Sequence, residues 1–179
     1  MKKIITLAAL TLTIIHCEAQ QNKATQTTDE KTNTPMLVGN SFKAEIQQAP
    51  YATWFSANHD SYKPNPATIA ELKKHLDGIS ITIFMGTWCE DSQHQVPGFY
   101  QVLEQLKFDE KQVSLIIVDR TKTTPDHLEK DKNITNVPTF IFYKNGKELH
   151  RIVESPVESL EKDMLKIVSG KPYKHTYEN

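Results

Sequence analysis

Residues 79–98 read ISITIFMGTWCEDSQHQVPG, and the change of character inside this stretch decides the fold. Ile79–Met85 is a β-branched, apolar run with the composition of a buried strand. Beyond Gly86 the apolar residues Val96, Phe99, Tyr100, Leu103 and Leu106 recur at helical spacing, so a helix begins just after Cys89. Pro97 falls inside that helix, where a bend is expected. Cys89 therefore stands at a strand-to-helix junction. The free N–H groups and dipole of a helix N-terminus stabilise a thiolate and lower a thiol pKa from its usual value of about 8.5. Ser92, one turn in, is placed to point its hydroxyl at the sulfur, whereas Glu90 and Asp91 oppose the anion by like charge.

The flanking sequence alternates helical and extended patterns. Residues 41–48 and 51–59 are helical in pattern, with Tyr51, Trp54 and Phe55 sharing one face. Asn65 and Pro66 read as N-cap and first-turn proline of a helix running to about Asp77, and Gly78 stops it. On the other side, VSLIIVD (113–119) is a second strand, and a short helix is expected over about 125–130. TFIFYK (139–144) and ELHRIV (148–153) are two strands around Asn145-Gly146, a strong hairpin signal. An amphipathic helix over about 157–168 closes the series. This mixture predicts an α/β fold with a central mixed β-sheet flanked by helices.

The N-terminal segment has a different character. Lys2 and Lys3 precede an uncharged, mostly apolar run over 4–15, the pattern of a signal peptide over residues 1–19. The run is short against the roughly 20 residues of a membrane span. Two readings of its removal stand open. Cleavage after Ala19, with Cys17 and Ala19 as the small residues, leaves a soluble exported protein. Alternatively Cys17 is acylated as the first residue of a lipoprotein, against which His16 speaks because a small residue is usual there. Either way Cys17 and Cys89, the two cysteines of the chain, form no intramolecular disulfide. Residues 20–35, QQNKATQTTDEKTNTP, are polar enough to read as a disordered linker, with the folded domain over 36–179.

The motifs together resemble the thioredoxin superfamily. TWCEDS (87–92) is similar to the W-C-x-x-C active site with serine in place of the second cysteine, and Pro97 lies where that family bends its active-site helix. Val137-Pro138-Thr139, within NVPTF, is similar to the family's cis-proline loop, which faces the cysteine. The resemblance covers about residues 79–168. It implies a thioredoxin-like three-layer sandwich, here with extra N-terminal helices, and a site in which Cys89 is the nucleophile, Ser92 and Trp88 shape its surroundings, and Val137 and Pro138 hold a client backbone. One departure is Ile83, at the place of a buried acid that often serves proton transfer in dithiol members. The other is Ser92, which cannot attack a sulfur, so a mixed disulfide would need a thiol from elsewhere.

The charge balance narrows the partners. Lys and Arg number 21 against 22 acids, a formal net charge of −1, and nothing draws the chain toward nucleic acid. No cofactor is expected, and the seven histidines show no metal-type spacing with Cys89. Protein thiols or disulfides of the cell envelope are the expected partners, with an external thiol or reductase to release them. A membrane enters only if Cys17 is lipidated. The competing reading is a redox-inactive thioredoxin-fold binding or scaffolding module with an incidental cysteine.

Overall fold

The computed structural model describes residues 23–178, so the expected signal peptide and the first residues of the expected linker lie outside the described residues. Six strands form one mixed sheet: β1 Thr25–Asp29, β2 Thr34–Ser41, β3 Ile79–Met85, β4 Val113–Ile117, β5 Thr139–Lys144 and β6 Lys147–Val153. Their spatial order is β1-β2-β4-β3-β5-β6. Among the described strands only β3 and β4 pair in parallel, with Ile83 opposite Leu115 on one side and Phe140 on the other. The helices are α1 Lys43–Ile46, α2 Ala52–Ser61, α3 Pro66–Leu72, α4 Glu90–Leu106 and α5 Leu160–Val168.

The expected mixed sheet with flanking helices is the architecture observed, and the side-chain alternation of the central strands explains it. Ile79, Ile81, Ile83 and Met85 of β3 join Leu115, Ile117, Phe140 and Phe142 in a core that takes residues from all five helices. Phe84, Ile116, Val118 and Ile141 point to the opposite face, where Val137, Leu128 and Ile134 gather against them. A strand buried on both faces has no polar positions to spare, and β3 has none beyond Ser80 and Thr82. At the α3 start, the Asn65 side chain accepts from the Thr68 N–H at 3.0 Å with Pro66 following, as its sequence predicts. At the β5–β6 turn, Asn145 and Gly146 take φ of 50° and 81°, the positive values that a tight hairpin requires.

Two expectations are corrected. Residues 25–35 are not linker: β1 and the start of β2 form an antiparallel hairpin at the sheet edge, with Thr25 opposite Val38 and Asp29 opposite Thr34, so the fold reaches back to Lys23. Its polar composition misleads because the hairpin is held by ladder hydrogen bonds and by Asp29, buried at 1% exposure, while Met36, Leu37 and Val38 supply the apolar anchor. The second correction concerns 125–130, which are turns, with His127 at φ 52° and Asp131 at φ 60°. Left-handed residues interrupt a right-handed helix, and Thr124 takes over the local bonding, accepting from Leu128 N–H at 2.8 Å and donating to Glu129.

Candidate active site

Gly86 closes β3 and opens the turn that carries the cysteine. The Cys89 N–H donates to the Gly86 carbonyl at 3.1 Å, and the Gln93 N–H then donates to the Cys89 carbonyl at 3.0 Å as the first bond of α4. Cys89 is thus the N-cap of α4, in an extended conformation, and is half-buried. Its S–H donates to the carbonyl oxygen of Val137, with sulfur and oxygen 3.2 Å apart. The Val137-Pro138 peptide bond is cis. Both residues are buried, and their loop is held from the end of β6, where the Glu154 N–H donates to the Pro138 carbonyl at 2.7 Å. Glu154 thereby has a structural part through its backbone.

Trp88 is fixed on three sides. A Cβ on Gly86 would lie 2.5 Å from its indole, so the ring packs directly on backbone that only glycine leaves open. Its Nε1–H donates to the Val118 carbonyl at 3.0 Å, and the Arg120 guanidinium sits 4.9 Å from the ring centroid. The hydrogen bonds with Asp29 push the Arg120 pKa up, against desolvation, and the charges of Asp29 and of a Cys89 thiolate add to the effect.

Ser92 departs from expectation. It is fully buried, and its hydroxyl accepts from the Gly86 N–H at 3.2 Å; among the described residues no hydrogen bond joins it to the Cys89 sulfur. The first turn of α4 directs Ser92 inward, where the last N–H of the β3 end needs an acceptor. His94 is exposed and meets Asn58 at 3.2 Å, away from the sulfur. Glu90 and Asp91 are exposed in the first helical turn. No group of three or more His, Cys, Asp or Glu among the described residues could hold a metal ion.

Four residues around the site escaped the sequence reading. Thr87 is buried, accepts from the Leu37 N–H of β2 at 3.3 Å, and receives Gln93 on its own carbonyl at 2.7 Å. Asn58 serves α4, whose Pro97 has no N–H for the Gln93 carbonyl; the Asn58 amide donates to that oxygen at 3.0 Å, and the helix continues through Pro97 as one element. Asp29 and Arg120 are the other two. The available signal for Arg120 was the parallel pairing of β3 with β4, which brings the segments after both strands to the same edge of the sheet.

The family model described as Thioredoxin matches residues 67–166. Among curated proteins, the chain is 29% identical to thioredoxin H2 of Arabidopsis thaliana over 94 residues, 52% of this chain and 66% of that protein. It is also 29% identical to Gallus gallus thioredoxin over 99 residues, 55% of this chain and 89% of that one. The span on the plant relative is just under two thirds of its length. Two solved structures share the fold at 16% identity. A Pseudomonas aeruginosa protein of unknown function has TM-score 0.53, over 69% of this chain and 86% of its own. An HIV epitope scaffold has TM-score 0.56, over 73% of this chain and 93% of its own. The matched span runs from α3 through the Cys89 junction and the Val137-Pro138 loop to α5, and on it the chain belongs to the thioredoxin family.

Proposed function

We propose that the chain carries out thiol–disulfide exchange through one nucleophilic thiol, that of Cys89. The observation that carries this reading is a half-buried cysteine capping a helix of 17 residues, its sulfur 3.2 Å from the backbone of the Val137-Pro138 loop. A sulfur so placed meets solvent, stands at the N-terminus of a helix, and lies beside backbone against which an extended client segment fits. The thiolate attacks one sulfur of a client disulfide. The Cys89–client bond forms, the client S–S bond breaks, and the departing client thiolate takes a proton from water. Trp88 shapes the surface beside the sulfur, and Val137 and Pro138 hold the client backbone.

Ser92 supplies no second thiol, so release falls to a client thiol, a small thiol or a reductase, and the chain leaves each cycle in the oxidation state in which it entered. Our reading puts this chemistry in the cell envelope, in the periplasm after cleavage or at a membrane through an acylated Cys17, and it is supported by the signal-peptide pattern of residues 1–19. The buried Ser92 hydroxyl, turned to Gly86 and away from the sulfur, favours a second reading, a redox-inactive thioredoxin-fold binding module.

Alkylation by iodoacetamide at pH 7 separates the two. Cys89 is expected to react about tenfold faster than a free cysteine peptide; a rate no faster than the peptide's overturns the exchange reading. Disulfide-linked partners recovered from envelope extracts should be absent with Cys89→Ala.

A further inference from the structure

The N-terminal hairpin lies outside the residues that match the thioredoxin family model, yet it reaches the Cys89 junction at two points. One is the buried Leu37 N–H donating to Thr87 at 3.3 Å. The other is Asp29, at the end of β1, whose carboxylate takes two parallel 2.7 Å bonds from Nε and Nη2 of Arg120. The same carboxylate accepts from the Lys31 N–H at 3.1 Å and the Thr32 hydroxyl at 2.7 Å. With a side-chain exposure of 2%, Asp29 has been taken out of water, and these donors replace the solvent. A two-pronged contact sets the plane of a guanidinium as well as its position. Here the guanidinium carbon lies over the Trp88 ring, 4.9 Å from its centroid, and the other restraints on that ring come from Gly86 and the Val118 carbonyl.

We propose that Asp29 and Arg120 are positioning residues: the hairpin carboxylate locks the guanidinium onto the Trp88 indole and so fixes the wall beside Cys89. This rests on the reading of Cys89 as the reacting thiol, and it assigns the hairpin a part in the site. Arg120 contributes a two-pronged grip that lysine lacks, since an ammonium is a point charge and cannot hold a carboxylate in two places while its charge is kept over the ring.

The test uses protein labelled with 5-fluorotryptophan, in which Trp88 and Trp54 give separate fluorine NMR resonances and Trp54 serves as internal control. In Asp29→Asn and in Arg120→Met the Trp88 resonance should shift or broaden while that of Trp54 stays in place, and Arg120→Lys should not restore it. Reaction of Cys89 with an aromatic disulfide should slow about two- to fivefold in the same variants, the factor matching a cation–π contact of exposed strength. Arg120, with 31% of its side chain exposed, is the variant to use if Asp29→Asn does not fold.

An unmoved Trp88 resonance in Arg120→Met overturns the proposal. So does a moved resonance with an unchanged rate, because the wall would then not serve the sulfur. If the unaltered protein fails to react with disulfides at all, the exchange reading falls, and the Trp88 resonance still decides whether Asp29 and Arg120 position the ring.

Discussion

The sulfur of Cys89 and the carbonyl oxygen of Val137 stand 3.2 Å apart, joined by a hydrogen bond across 48 residues of chain. This contact brings the helix start and the Val137-Pro138 loop into one site, with Ser92 buried one turn behind the sulfur. Ser92→Cys would put a second thiol at that inner position. A Cys89-to-92 disulfide is expected, read as a loss of about 2 Da on oxidation, and mixed disulfides should disappear more than tenfold faster because attack becomes intramolecular. Unchanged lifetimes would show that the inward position cannot reach Cys89.

Gly86 is the floor under Trp88. In Gly86→Ala the new methyl would meet the indole at 2.5 Å, so the ring or the strand end must move. Overpacking of this kind costs about 1–3 kcal/mol, to be read from urea denaturation with an accompanying change in tryptophan emission.

Asn58 supports α4 at the place where Pro97 removes a donor. Asn58→Ala leaves the Gln93 carbonyl without its 3.0 Å partner, and it also removes the amide bond to the Trp54 carbonyl at 2.9 Å. A loss of about 1–2 kcal/mol is expected in chemical denaturation. Restoring a main-chain donor by Pro97→Ala in the Asn58→Ala background should recover part of it.

Asp29 gives the fold an acid-sensitive contact. Hydrogen bonds from Arg120 above all hold its carboxyl well below the usual carboxylate range, with Thr32 and Lys31 assisting against the desolvation that works the other way. A folded-state pKa below the unfolded value of about 3.9 means that the stabilisation is fully present above that value and is lost as pH falls beneath it. The melting temperature should therefore fall more steeply below pH 4 in the unaltered protein than in Asp29→Asn. Parallel curves for the two would count against the ion pair. Glu161 and Asp119, also lowered by their hydrogen bonds, keep some acid sensitivity in the variant.

The elements legible in the sequence were those written in short-range patterns. The β-branched run of β3, the Asn65-Pro66 start of α3, the Asn145-Gly146 turn and the helix after Cys89 each depend on residues within a few positions of one another. Helical and strand spacing also determined which side chains of α4 and β3 face the core. The elements that escaped take their support from elsewhere. β1 buries no apolar side chain, and its polar composition is that of unfolded chain until Asp29 meets Arg120, 91 residues away. The 125–130 segment has helix-compatible residues, but Thr124 and a left-handed His127 turn it into successive bends.

For the site, sequence alone determined that a cysteine caps a helix behind a buried strand and that no thiol follows one turn later. Local backbone preference and residue identity suffice for both. Tertiary structure decided that the sulfur faces Val137, that Ser92 turns inward to Gly86, and that an edge hairpin holds an arginine on Trp88. Those outcomes are set by partners that a buried donor or acceptor finds only when distant strands are brought to one edge of the sheet.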